Sequence, residues 1–418
     1  MEVDAVSQQT QEKVEQTLSA DLIVGIVADI KEDAAGGLFD SLRALPGSPR
    51  IAVLKNARPA DSAAPKPPTG EKDPLLSVIP WPQQEVAAVG EPVRSISSAY
   101  QSAFAVSQKL GARACCVITS TLEAPAWDWI CQLVRPLIED DFDLVAAYYA
   151  RRRFEGLLNS SIIYPVTRCL YGKRIHNPLG PDLGVSVKLF QRLLDPNGSS
   201  RAGASSMHLL SSIAPIALCG NFKVAQVHLP ARSYAPIDWM NISSFVVQAL
   251  GPIFLDMERY AACWQKTRGS LPIHEFEQPI PISQEEKAEL DVGRMVESFR
   301  LANRDLREIW GVVLPPATQF ELGKLSRLAP DQFCMPDELW ARIIYDFALA
   351  HRLQTINRDH LLKSMTPLYL AWVASYAREL ETAGAANVEQ RFERLSLAYE
   401  ASKPYLISRW RWPDRFNP

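Results

Sequence analysis

Several groups of side chains in this chain of 418 residues could do chemistry. Arg151, Arg152 and Arg153 stand in a row directly after an apolar run, Asp143 to Tyr149, that reads as a strand. Three guanidinium groups there would capture an anionic acceptor or a diphosphate through charge-assisted hydrogen bonds. The same run also reads as a solvated charged face. Gly180-Pro181-Asp182-Leu183-Gly184 places one carboxylate in a loop, and Pro181-Asp182 is equally good turn chemistry. Glu139-Asp140-Asp141-Phe142-Asp143 contains an Asp-x-Asp, a pattern that suits a hard cation. It precedes a strand, whereas sites of open α/β sheets gather at the carboxyl ends of strands, so it reads as a solvated acidic turn.

Other signals are bland. His208, His228, His274, His351 and His360 have no carboxylate or cysteine at useful spacing and read as structural or exposed; His176 reads as a surface residue. The seven cysteines include no C-x-x-C, which leaves a zinc site unsupported and fits a reducing compartment. Gly-x-Ser-x-Gly, the phosphate-binding Gly-x-x-x-x-Gly-Lys and His-Glu-x-x-His are absent.

The elements that must position these groups follow from apolar spacing. Leu22 to Ala28 is apolar without alternation and reads as a strand buried on both faces; Ile51 to Leu54 follows about one crossover later, with Leu38 to Leu45 as the crossover helix. Residues 57 to 75 are rich in Pro, Ala, Lys and Asp and read as a flexible loop. Ser95 to Leu110 reads as a helix, Ala114 to Thr119 as the third strand, and Trp127 to Leu137 as a helix. Asp143 to Tyr149 and Phe222 to Leu229 are further strands.

Beyond Ile280 the period becomes helical. Val292, Met295, Val296 and Phe299 repeat at i, i+3, i+4, i+7, as do Trp340, Ile343, Ile344 and Phe347. Thr366-Pro367 forms an N-cap and N1 pair for a helix through Tyr376, and Val388 to Tyr399 marks the last long helix. The organisation expected is a polar tail (1–20), an α/β domain (21–280) and an all-α domain (281–418).

Lys plus Arg total 44 and Asp plus Glu 47, a net charge of −3, which argues against a general nucleic-acid binder. The longest apolar stretch, Trp239 to Leu255, is broken by Asn241, Gln248 and Pro252, so no membrane span is expected. The N-terminus carries no signal-peptide pattern, and a cytoplasmic location is expected.

Three segments carry a family resemblance. The first is Tyr164-Pro165-Val166-Thr167-Arg168-Cys169-Leu170-Tyr171-Gly172, followed by Lys173-Arg174-Ile175 and Pro178-Leu179-Gly180-Pro181-Asp182-Leu183-Gly184. The others are Ala112-Arg113-Ala114 to Trp129, and Thr366-Pro367-Leu368-Tyr369-Leu370. Together they resemble bacterial GT-A glycosyltransferases of the mannosylglycerate synthase and glucosyl-3-phosphoglycerate synthase type. In those proteins a "YPLTRALYG" segment precedes an "R-x-P-I-G-G-D-F-G" segment.

The resemblance implies a Rossmann-like nucleotide-sugar domain followed by helices. It implies transfer of a hexose from a nucleotide diphosphate sugar to a small anionic acceptor such as glycerate. A divalent cation, Mg²⁺ or Mn²⁺, would hold the leaving diphosphate. Asp182 then becomes the carboxylate facing sugar and acceptor. Arg94, Arg151, Arg153, Asn159, Tyr164, Arg168 and Arg174 become the substrate-binding residues.

The chain departs from the family where charge matters most. Thr119 and Thr121 stand where the metal-binding aspartates belong, Tyr234 where the histidine belongs, and Leu210 where relatives carry an acidic residue. Hydroxyls are poor sole ligands for a dication. Glu91-Pro92-Val93-Arg94-Ser95 replaces a phosphate-binding glycine turn, and Arg94 reads either as its stand-in or as a surface arginine. Lys55-Asn56-Ala57-Arg58-Pro59 replaces the turn after the second strand.

Two readings follow. One is a transferase without the usual metal site, in which Arg94, Arg151 and Arg153 offset diphosphate charge. The other is an inactive relative, self-associated or bound to an active transferase, that serves as a binding or regulatory partner.

Overall fold

The computed structural model describes residues 13–14, 17, 19–27, 32–56, 75–81, 92–119, 128–194, 209–230, 238–280, 290–383 and 388–413. Its contacts divide the chain into two units. The first comprises Met1–Tyr149, Asn177–Ser233 and Ile273–Ile280; the second comprises Ala150–His176, Tyr234–Pro272 and Pro281–Pro418. Residues 150–176 and 234–272, assigned from the sequence to the α/β domain, thus make their contacts with the C-terminal helices.

The first unit is built on one sheet of eight strands. These are β1 (Leu22–Ile26), β2 (Ile51–Asn56), β3 (Leu76–Trp81), β4 (Ala114–Ile118), β5 (Leu144–Tyr149), β6 (Leu183–Ser186), β7 (Val224–Leu229) and β8 (His274–Phe276). Their order is β3-β2-β1-β4-β6-β5-β7-β8. All neighbours run parallel except β6, which is antiparallel to both β4 and β5. β1 and β4 are buried at every position, which is why they read as unbroken apolar runs. Burying such Val, Leu and Ile side chains stabilises by roughly 1.5–3 kcal/mol each.

Helices α1 (Glu32–Arg43), α2 (Pro92–Leu110), α3 (Asp128–Ile138), α4 (Tyr164–Tyr171), α5 (Val187–Leu194) and α6 (Leu209–Cys219) follow in chain order. All but α4 lie in the first unit. Leu38 and Leu42 of α1 and Ile130, Leu133, Val134 and Leu137 of α3 share one core with β1, β4, β5 and β7.

The direction of β6 has a simple cause. The chain leaves β5 at the carboxyl edge of the parallel strands and re-enters the first unit at Asn177. Asn177 Nδ2 donates to Ala147 O of β5 at 3.2 Å, so re-entry is at the upper end of β5. From there β6 has to run downward. Leu183 lies opposite Val117 and Ala146, near the last residues of β4 and β5.

The second unit is helical. It contains α4, preceded by a π-helical turn at Asn159–Ile163, then α7 (Ser243–Arg259), α8 (Ala261–Trp264), α9 (Val292–Asp305), α10 (Arg307–Val313), α11 (Pro316–Leu325) and α12 (Asp337–Leu353). α13 (Arg358–Ser364), α14 (Thr366–Ala383), α15 (Val388–Ala401) and α16 (Lys403–Arg411) complete it. Ser161 O lies four residues before Pro165, which has no N–H to donate, and it accepts instead from Trp340 Nε1 at 3.2 Å and from Tyr399 OH at 2.9 Å. α4 ends at Gly172, which is left-handed (φ 72°), and the buried Lys403 ammonium closes that end by donating to Cys169 O at 2.6 Å.

The α/β-then-helical order expected from the sequence is present. The strand at Ala114 is the fourth rather than the third, because β3 lies between it and β2. Strands β6 and β8 also go beyond the sequence reading. The loop expected over 57–75 lies outside the described residues apart from Leu75. Among the described residues no helix is long and apolar enough to cross a membrane.

Candidate functional site

Asp182 is wholly buried at the entry to β6. Its Oδ1 accepts from Thr119 N at 2.6 Å and from Thr119 Oγ1 at 3.0 Å. Its Oδ2 accepts from the Tyr149 hydroxyl at 2.6 Å. Thr119 is the residue after β4, and Tyr149 is the last residue of β5. One carboxylate therefore ties together the carboxyl ends of two strands that are not neighbours in the sheet.

Tyr100 of α2 fixes the loop from below. Its hydroxyl donates to Pro181 O at 2.9 Å and accepts from Leu183 N at 2.8 Å. Burial, with Asp182 beside it, holds that phenol well above the usual tyrosine range, so it stays protonated. The ring of Tyr149 meets Trp129 of α3 edge-on at 6.2 Å. Asp182 is thus a carboxylate held in one position by a rigid frame, at the sheet edge where α/β proteins bind ligands.

The other expected residues belong to the second unit. Arg151 donates to Ser160 Oγ and lies 5.0 Å over the Phe392 ring. Arg153 lies 5.3 Å over Phe154, and its carbonyl accepts from Tyr376 OH at 2.9 Å. Between them Arg152 pairs with Glu155 at 3.4 Å. The run is therefore not a uniform solvated face; each arginine has a different neighbour.

Asn159 opens the π-turn. Its Nδ2 donates to His176 O at 2.8 Å, and its Oδ1 is buried without a hydrogen-bond partner. Tyr164 stacks on His176 at 4.6 Å, which takes His176 out of the class of isolated surface residues. Arg174 Nε reaches Ser270 Oγ at 3.3 Å.

Arg168 differs from the rest. It is fully buried, and each of its three nitrogens donates to a protein partner: Nε to Glu400 at 2.7 Å, NH2 to Glu393 at 2.8 Å, and NH1 to Glu393 and the Tyr164 hydroxyl. Burial opposes its charge, and the two carboxylates more than offset that, raising the guanidinium above its ordinary range. A group so occupied acts as a strut between α4 and α15. The sequence reading of Arg168 as a substrate contact gives way to this.

Arg94 lies in the first turn of α2, and its side chain is outside the described residues, as are Thr121 and Tyr234. Among the described residues no three His, Cys, Asp or Glu side chains gather as metal ligands. Both oxygens of Asp182 are engaged by Thr119 and Tyr149, and Thr119 offers a hydroxyl already turned to Asp182. These donors do not fit a divalent cation.

Sequence reasoning missed one constellation. His228, on β7, is not without a carboxylate: its Nε2 is 2.7 Å from Glu275 Oε2 on β8, and Gln226 Nε2 donates to Glu275 Oε1 at 2.7 Å. His228 packs on the Tyr148 ring at 5.1 Å, its register partner at the upper end of β5. The signal was the alternation of Gln226 and His228 within an apolar strand. Glu275, 47 residues further on, gave no local hint.

No family model matches the chain, and no curated protein matches it. Among solved structures it is similar to glucosyl-3-phosphoglycerate synthase from Mycobacterium tuberculosis in complex with phosphoglyceric acid. The identity is 18%, over 60% of this chain and 83% of that one, with a TM-score of 0.35.

Proposed function

We propose that this chain is a glycosyltransferase-like protein that binds a nucleotide diphosphate sugar at the carboxyl edge of its sheet. In this reading it passes the hexose to a small anionic acceptor such as glycerate without the family's divalent metal. One observation carries the reading. Thr119, which the resemblance puts at a metal-aspartate position, and Asp182, which it puts against sugar and acceptor, lie 63 residues apart in the chain and are in direct hydrogen-bond contact at that edge.

The chemistry then has to neutralise the leaving diphosphate with fixed positive charge. Arg94, Arg151 and Arg153 supply it, and guanidinium groups match phosphate oxygens two at a time. Asp182 holds the Thr119 amide and the Tyr149 hydroxyl in place and so shapes the edge on which the sugar rests. Asn159, Tyr164 and Arg174 are the further substrate-binding residues that the resemblance implies.

Calorimetric titration of the full chain with UDP-glucose, UDP-mannose, GDP-glucose and GDP-mannose tests this. Binding of at least one donor, with equal affinity in Mn²⁺ and in chelator, is expected. Binding that requires Mn²⁺ would remove the metal-free part of the proposal. No heat from any donor would remove the nucleotide-sugar reading itself and leave a fold used for another purpose.

A further inference from the structure

β7 reads Val224-Ala225-Gln226-Val227-His228-Leu229 and is buried along its whole length. Two polar side chains on one face of such a strand cost free energy unless they are paired. Here they are paired, and with one another's partner. Gln226 holds one oxygen of Glu275, and the other oxygen holds His228 Nε2. The three residues form a network in which the imidazole is buried and Glu275, on the edge strand, is the exposed member.

Its place in the fold matters. β5 and β7 are adjacent and parallel, and His228 lies opposite Tyr148, one residue before each strand ends. The imidazole therefore stands at the carboxyl edge of the sheet, two strand spacings, about 10 Å, along from the entry to β6 that carries Asp182. A carboxylate bound at Nε2 keeps the ring proton there while the ring is neutral and leaves the lone pair on Nδ1. That is the arrangement of a general base with its orienting group.

We propose that His228 is the proton acceptor for the acceptor hydroxyl, with Glu275 as its positioning residue and Gln226 holding Glu275. This rests on the nucleotide-sugar reading above. In the step, the acceptor O–H proton moves to His228 Nδ1 as the acceptor oxygen bonds to the sugar's anomeric carbon. The bond from that carbon to the diphosphate oxygen breaks, and its electron pair leaves with the diphosphate. The imidazolium then releases its proton to solvent. No oxidant, reductant or metal enters the balance.

The test uses the full chain, UDP- and GDP-sugars as donors and D-glycerate as acceptor. His228→Gln is expected to lower kcat about 100-fold, the scale of a positioned acid–base group, while calorimetric donor affinity stays that of the wild type. Glu275→Gln keeps the histidine and covers the case in which His228→Gln does not fold. It is expected to lower kcat severalfold while KM for donor and acceptor stays that of the wild type, because the ring loses its orienting group and not a substrate contact.

A merely structural relay would lower the unfolding midpoint in both variants and change KM along with kcat, and that result would overturn the proposal. So would an unchanged kcat in His228→Gln, or loss of donor binding in that folded variant. A wild type that binds no donor would overturn the underlying reading, and with it this role. A wild type that turns over normally beside an unaffected His228→Gln would overturn this role alone.

Discussion

A buried carboxylate is defined by what donates to it, and in this chain that decides between a ligand and a brace. Asp182 accepts from a backbone amide, a threonine hydroxyl and a tyrosine hydroxyl. Asp182→Asn would turn an amide N–H toward one of those donors. The expected cost is about 1–3 kcal/mol, read as a lower urea midpoint, because one buried donor is left unpaired. The same variant should weaken donor binding if the Thr119 amide position shapes the sugar site. Asp182 was legible as a site candidate because its loop carries a recognisable pattern. Arg168 was equally legible and misread, since Glu393 and Glu400 lie 225 and 232 residues away and no spacing rule links them. Residue chemistry is local; residue partnership is not.

At the scale of elements, the strands read correctly were longer and largely buried: β1, β4 and β7 at every position and β5 at all but Tyr148. β3 carries Pro80, which argues against a strand, and is only partly buried. β8 has three residues, none of them buried. β6 has four, one of them Gly184. That glycine is required by close approach rather than by φ: a Cβ there would lie 2.6 Å from Leu137 Cδ1 and 3.1 Å from Leu133 O of α3. Gly184→Ala is therefore expected to cost about 1–3 kcal/mol by overpacking, measured by urea unfolding. Gly36→Ala in α1, where a Cβ meets nothing within 4 Å, serves as its control and is expected to stabilise by about 0.5–1 kcal/mol. The helices were easier to read because their buried stripes are long. Trp340, Ile343, Ile344 and Phe347 of α12 are all wholly buried, as their spacing requires.

At the scale of the whole molecule, two buried groups on that same helix tie stability to pH. Asp346 is buried against Tyr405 and Arg409 of α16, with Arg342 nearby. Burial, against the pull of Arg409, pushes its carboxyl up to about 7. Its stabilising protonated form is fully present below about pH 3.8 and is lost as pH rises through about 7. His351 packs edge-on against Phe254, and burial, with the Arg358 charge, lowers it to about 4. Its contribution is fully present above about pH 6.5 and is lost as pH falls toward about 4.

Between about pH 4 and 6.5 the two slopes oppose each other, each about 1.4 kcal/mol per pH unit. Urea unfolding across that range should show wild-type stability falling with pH relative to Asp346→Asn and rising with pH relative to His351→Gln. Parallel curves in either comparison would mean that group does not titrate on unfolding.

The sequence by itself determined the order of the molecule: apolar strands and crossover helices first, then helices with a 3.6-residue stripe. It also singled out the loop around Asp182 and the basic run at Arg151. These are properties of short windows, where the period of the backbone fixes which side chains share a face. Tertiary structure alone decided the direction of β6, because that depends on the edge at which the chain returns. It alone decided that Asp182 meets Thr119, that Arg168 is held by Glu393 and Glu400, and that His228 has Glu275. Each of those pairs joins segments far apart in the chain that meet only when their own unit folds, and a charge has no preferred partner until desolvation forces one on it.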